Sequence, residues 1–171
     1  MIIKREWSMP NKDTFDIKPI KKLISKYSIG VGADPFAKDS KIATITNDID
    51  PMTSASYHKD ALDFLKNDLK DLSMDYILFD PPYSPRQVSE CYKKLGMTVN
   101  MQTTQSSFWS KLKKEISKKI RIDGYCITFG WCSNGIGKCN GFQIEEILIV
   151  AHGGWHNDTI VTVERKVNDT R

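Results

Sequence analysis

The residues best equipped for chemistry close one apolar stretch, Tyr76-Ile77-Leu78-Phe79-Asp80-Pro81-Pro82-Tyr83. An amine on an aromatic base is a poor nucleophile, because its lone pair is delocalised into the ring. A carboxylate accepting one N–H and a carbonyl accepting the other would localise that pair toward an electrophile. Asp80 supplies the carboxylate. Pro81, with no N–H and a fixed backbone, offers only its carbonyl. Pro82 completes the double proline that stops the strand, and Tyr83 presents a face on which an extruded base can stack. The same four residues also make an ordinary proline-rich turn, so their neighbours must decide.

Such a site needs a rigid support. The apolar run before Asp80 reads as a buried strand, and in open α/β sheets ligands bind at the carboxyl ends of the strands. At 171 residues the chain is long enough for one domain with a real core. Its hydrophobic fraction of 40% and charged fraction of 27% are those of a globular protein. A net charge of +4 permits a polyanionic partner without demanding one. No apolar run approaches the roughly 20 residues needed to span a bilayer, and the first residues form no signal peptide. A cytoplasmic protein with free thiols at Cys91, Cys126, Cys132 and Cys139 is expected. The spacing of Cys132, Cys139, His152 and His156 fits no common zinc pattern, so no metal is assigned.

In chain order, residues 1–17 read as polar and irregular, and a helix follows from Pro19 to Tyr27. Ile29–Asp34 and Lys41–Thr46 read as strands separated only by Pro35–Ser40, too short for the usual helical crossover. Asp48 closes the second strand where α/β nucleotide sites hold a ribose, with Asp50 as second choice; Asp-Ile-Asp-Pro is also simply a good turn. Asp60 reads as the N-cap of a helix running to about Leu72. After the double proline, a helix is expected over Ser84–Lys94 and a loop over 97–107. An amphipathic helix then runs from Phe108 to Ile120, with Phe108, Leu112, Ile116 and Ile120 on its apolar face. Lys111, Lys113, Lys114, Lys118 and Lys119 point away from that face, either as a solvated surface or as nucleic-acid contacts, for which Lys113, Lys114 and Lys118 are the candidates. A turn at Asp123-Gly124 leads into a strand to Gly130 and a glycine-rich loop, where Trp131 and Asn134 are candidates to line a base pocket. Ile144–Ala151 and Thr159–Arg165 read as a terminal hairpin. The polar tip His156-Asn157-Asp158 is either a turn or a further target-facing element.

Taken together over roughly residues 9–166, these features resemble the S-adenosylmethionine-dependent amino-methyltransferases, whose catalytic motif is Asp/Asn/Ser-Pro-Pro-Tyr/Phe/Trp. The likeness is nearest to the small adenine-N6 enzymes of bacteriophages and prophages. It implies Asp80, Pro81, Pro82 and Tyr83 as the catalytic group. It also implies that the cofactor lies against Asp34-Pro35-Phe36-Ala37, Asp48 and the Asp60-Ala61 pair. The segment before the first strand, with Thr14 and Phe15, would pack beside the cofactor or else cap the core. One departure is clear. Lys38-Asp39-Ser40 stand where the family's loop has glycines, so weakened cofactor binding is expected.

The expected fold is a single α/β domain, a Rossmann-like methyltransferase fold. Its sheet would be mainly parallel, with an antiparallel C-terminal hairpin and a reduced crossover between the first two strands. The resemblance implies methylation of adenine N6 in DNA with relaxed specificity, since no residues are left over for a separate recognition domain. A homodimer or a partner protein would supply recognition otherwise. Two alternatives stand beside it: the same chemistry on RNA, and a non-catalytic cofactor-binding or anti-restriction protein that keeps the fold.

Overall fold

The computed structural model describes residues 1–82 and 106–169. Its frame is a seven-stranded sheet in the order β1-β6-β7-β5-β4-β2-β3. The strands are β1 (Ile2–Trp7), β2 (Gly32–Asp34), β3 (Ile45–Thr46), β4 (Met74–Phe79), β5 (Ile120–Gly130), β6 (Phe142–Ala151) and β7 (Thr159–Lys166). Only β7 runs antiparallel to its neighbours, between β5 and β6. The mainly parallel sheet with a C-terminal hairpin is therefore as the strand pattern implied.

Helix α1 (Lys18–Tyr27) covers one face. Ile20, Leu23 and Ile24 pack it against Leu78, Ile127, Leu148 and Val161, with Pro19 buried in its first turn. Helices α2 (Ala61–Asn67) and α3 (Ser106–Lys119) cover the other, where Phe64, Leu65, Leu112 and Ile116 meet Ile77, Phe79 and Cys126. β4 is thus buried on both sides, which explains its unbroken apolar run. The β2–β3 crossover contains no helix, and β3 is shorter than the Lys41–Thr46 expected.

Several expectations are corrected. Residues 2–7 are not irregular: they form β1, parallel to β6 at the outer edge of the sheet. All six are exposed, so the strand carries no burial pattern to read; backbone pairing and one buried ion cluster hold it. In that cluster Glu146, fully buried, accepts from Lys4 (2.7 Å), Lys26 (2.7 Å) and Tyr27 (2.8 Å). Asp123-Gly124 is no turn before β5 but a kink inside it. Asp123 is left-handed, at φ 65°, and the pairing with β4 shifts register there. Helix α2 ends at Asn67 rather than Leu72. Lys119 does not face solvent; buried, it donates to the Leu69 carbonyl (2.9 Å) and to Asp71 (2.8 Å). The Ser84–Lys94 helix and nearly all of loop 97–107 lie outside the described residues, as does Cys91. Cys126, Cys132 and Cys139 are free thiols. Among the described residues no helix is long and apolar enough to cross a membrane.

Candidate active site

Asp34 ends β2 and Asp80 follows β4, its parallel neighbour, so the two carboxylates share the carboxyl edge of the sheet. Asp34 is wholly buried. One oxygen accepts the Phe36 N–H at 2.9 Å, and the other, Oδ2, has no hydrogen-bond partner. Burial, with smaller contributions from the charges of Asp80 and Asp48, pushes its carboxyl up from 3.8 to about 8; the Phe36 N–H and Lys38 oppose this. At neutral pH the group holds its proton until a donor or cation meets Oδ2. An orphaned, buried acceptor of this kind is built for a ligand.

The loop after β2 is shaped around that carboxylate. The Phe36 ring packs 6.0 Å from Phe79. Ala37 is buried, and its N–H donates to Asn47 O at 2.9 Å. Lys38, where a glycine was expected, adopts the left-handed conformation at φ 50°. Its N–H donates to Asp48 Oδ2 at 2.9 Å, while the other Asp48 oxygen accepts the Asp50 N–H at 2.9 Å. The chain therefore keeps a backbone conformation suited to glycine without the glycine. Asp48 keeps unused acceptor capacity, since each carboxylate oxygen has two lone pairs.

Asn47 escaped the sequence reading. Fully buried, its Nδ2 donates to the carbonyls of Pro35 and Lys59 (3.1 Å each), and its Oδ1 accepts the Lys59 N–H at 3.0 Å. One amide thus ties together the loops that carry Asp34, Asp48 and Asp60. The only signal was its place beside Asp48, where acids drew the attention. Asp60 caps α2 as expected, Oδ1 accepting from Leu62 N at 2.9 Å and more loosely from Asp63 N at 3.4 Å, with Ala61 buried behind it.

The remaining candidates divide. Thr14 and Phe15 lie in a 3-10 turn before α1, with the Phe15 ring 5.0 Å from Phe129 near the carboxyl end of β5. Asp80 and Pro82 are half-buried and Pro81 is buried. Tyr83 lies outside the described residues. Lys118 sits at the far end of β4 from Asp80, where its carbonyl accepts the Leu72 N–H; its side chain pairs with Glu115 at 2.8 Å. Lys113 donates to the Asn134 carbonyl at 2.6 Å, and Lys114 is exposed.

The glycine-rich loop folds back over the α3 side. Its Ile136 and Gly137 amides donate to Glu164, a buried carboxylate whose pKa burial raises. Asn134 therefore lines a cavity of about 560 Å³ with Lys113, Phe142 and Glu164. Glu164 pairs in register with Cys126, below the level of Asp80, so Asn134 is not brought to the Asp80 edge; Trp131, directly after β5, is.

No protein-family model matches this sequence, and no curated protein sequence matches it. Solved structures do. NSun6 from Pyrococcus horikoshii, determined with SFG, matches at a TM-score of 0.57 and 14% identity, over 86% of this chain and 50% of that one. The 1,6-didemethyltoxoflavin-N1-methyltransferase of Burkholderia thailandensis, determined with S-adenosylhomocysteine, matches at 0.56 and 10% identity, over 81% and 71%. The N-methyltransferase NodS from Bradyrhizobium japonicum matches at 0.54 and 9%, over 88% and 93%. This chain thus spans half the length of NSun6. At these identities the likeness is one of fold, and that fold is the Rossmann-like methyltransferase fold.

Proposed function

We propose that this chain transfers a methyl group from S-adenosylmethionine to the N6 amine of adenine in DNA. The observation that carries the reading is the position of Asp80-Pro81 directly after buried β4, beside Asp34 with its orphaned oxygen. The residues present suit the cofactor. Oδ2 of Asp34 can accept an N–H from its ammonium group, Phe36 offers an apolar contact, and Asp48 and Asp60 have acceptor capacity for hydroxyls and the adenine amine. Structures of this fold solved with S-adenosylhomocysteine and SFG support the choice.

When bound, S-adenosylmethionine supplies an electrophilic methyl carbon on a cationic sulfur. The chain's part is to prepare the nucleophile. Asp80 accepts one amine N–H and the Pro81 carbonyl the other, which draws the nitrogen toward tetrahedral geometry and localises on it the lone pair otherwise delocalised into the ring. Asp80 or solvent would take up the proton that the amine gives up on becoming methylated. Tyr83 stacks on the extruded base. Asn47 holds the three loops in mutual register, as a positioning residue.

The test is incubation with methyl-labelled S-adenosylmethionine and DNA or RNA, followed by digestion to nucleosides. Label in N6-methyldeoxyadenosine is expected. Label in the corresponding ribonucleoside alone moves the substrate to RNA, and label in neither ends the proposal.

A further inference from the structure

Three of the four tryptophans stand on one rim of the molecule. Trp155 is fully exposed at 103%, Trp7 is 66% exposed and Trp131 47%. Burial ordinarily claims so large an apolar side chain. The strand registers locate all three. Phe79 lies level with Thr128, Thr128 with Thr162, Thr162 with Ile147, and Ile147 with Ile3. Asp80 stands one residue beyond that line, whereas Ala151 and Trp7 stand four beyond it. At about 3.3 Å per residue, the β6–β7 hairpin and the end of β1 rise roughly 10 Å past Asp80. They form a wall beside the candidate active site. Trp7 ends β1, Trp155 crowns the β6–β7 tip, and Trp131 leaves β5, the strand next to Asp80.

The wall is built to hold these rings outward. His152, buried, bridges the two rim segments: Nδ1 lies 2.9 Å from Ser8 O and Nε2 2.8 Å from Thr159 Oγ1. Gly153 and Gly154 take φ values of +69° and +59°, a left-handed turn that leaves Trp155 outside. The Trp7 indole nitrogen lies 3.4 Å from where a Cβ on Gly153 would sit, so that ring packs beside the turn that carries Trp155.

The chemistry of the rim selects its occupant. Exposed flat apolar faces, one of them flanked by the exposed polar residues His156 and Asn157, suit flat ligands with polar rims better than a continuous apolar protein surface. Charge on the wall is mixed, with Glu6, Asp13 and Asp158 against Arg5 and Lys12, while Asp48 and Asp80 put negative charge on the floor beside it. Phosphates are repelled from such a floor, but a neutral base is not.

We propose that the rim from Trp7 through Trp155 to Trp131 is a stacking platform for single-stranded nucleic acid leading to Asp80. It deepens the methyl-transfer reading, on which only the identity of the base beside Asp80 rests.

The test is intrinsic tryptophan fluorescence of the full chain titrated with oligothymidylate, which contains no adenine. Quenching by the single strand is expected. Trp155→Ala and Trp131→Ala should each weaken binding about tenfold, with circular dichroism unchanged. Trp7→Ala should do likewise and Trp7→Phe restore most of the affinity, since a ring rather than an indole is what stacking needs. A weak salt dependence is expected, because stacking and not counterion release dominates. Unchanged affinity in the alanine variants overturns the platform, as does equal quenching by a blunt duplex. So does sedimentation showing that the indoles are instead covered by a second copy of the chain. Because the probe lacks adenine, binding through the tryptophans without methylation of any nucleic acid supports the platform and removes the adenine reading. Methylation without tryptophan-dependent binding does the reverse.

Discussion

Asp34 accepts the Phe36 amide through one oxygen at 2.9 Å and keeps the other buried with no partner. That asymmetry gives the molecule a pH dependence whose sign can be worked out. Folded, the carboxyl is raised to about 8, against an ordinary value of 3.8. The folded state therefore retains a proton that the unfolded chain releases. Its contribution is most favourable below about pH 4, shrinks as pH rises, and is fully lost above about 8. Asp34→Asn removes this penalty. The variant's gain in melting temperature over the parent should be larger at pH 8 than at pH 5, by scanning calorimetry at both. It should also weaken binding of S-adenosylmethionine. The parent should release protons on binding at pH 7, seen as a dependence of binding heat on buffer ionisation enthalpy. Equal gains at both pH values would mean that Asp34 does not carry the proton.

Lys38 offers a separate test, because its backbone and its residue type disagree. A non-glycine residue in the left-handed region costs about 1–2 kcal/mol, part of which glycine's greater unfolded-state entropy cancels. Lys38→Gly should therefore stabilise the chain by up to about 1 kcal/mol in urea denaturation. Cofactor affinity should not fall, since the Lys38 amide that meets Asp48 remains in place. Lys38→Val should destabilise. A β-branched residue tolerates this conformation worst.

These two residues also show what was legible in the sequence. Asp34, Asp60 and Asp80 could be placed because each follows a strand or begins a helix, and such ends are marked by pattern breaks. The α3 face was readable from Leu112 and Ile116 at helical spacing, both of them buried, whereas Ile120, expected to end that face, already begins β5. β1 was not readable, since an edge strand exposed on both faces has no hydrophobic alternation. Nor was Asn47, whose role depends on three loops meeting. Lys119 was misread because a lysine at the end of a helix looks solvated unless a neighbouring carbonyl, here that of Leu69, is known to reach it.

Glu146 is what fastens β1 to the rest. Burial alone would raise its carboxyl, yet hydrogen bonds from Lys26, Lys4 and Tyr27 outweigh it and bring the value from 4.5 down to about 2. The stability this confers is fully present above about pH 4.5 and is lost as pH falls toward 2. Glu146→Gln should cost about 3 kcal/mol, since it leaves two lysines without their shared partner; their half-exposed ammonium groups keep the loss at the low end for broken buried pairs. The variant should also show a smaller loss of stability than the parent between pH 4.5 and 2. Hydrogen exchange should then find residues 2–7 opening independently. Protection of β1 equal to the parent's would show that backbone pairing with β6 suffices without the ion cluster.

Asp80→Ala tests the chemistry itself. Asp80 is placed to act on the target amine, an interaction that counts in the transition state rather than in holding the cofactor. The variant should keep its melting temperature to within a few degrees and bind S-adenosylmethionine as the parent does, with turnover falling by more than a hundredfold. Lowering kcat and kcat/KM together identifies a contact made only as the reaction proceeds. Retention of more than about a tenth of the parent's turnover, a barrier change under ~1.4 kcal/mol, would remove Asp80 from the assigned role. Asp80→Asn sharpens the result. Its side-chain oxygen still accepts an N–H but carries no charge, so partial activity would assign the effect to the hydrogen bond, and none would assign it to the negative charge.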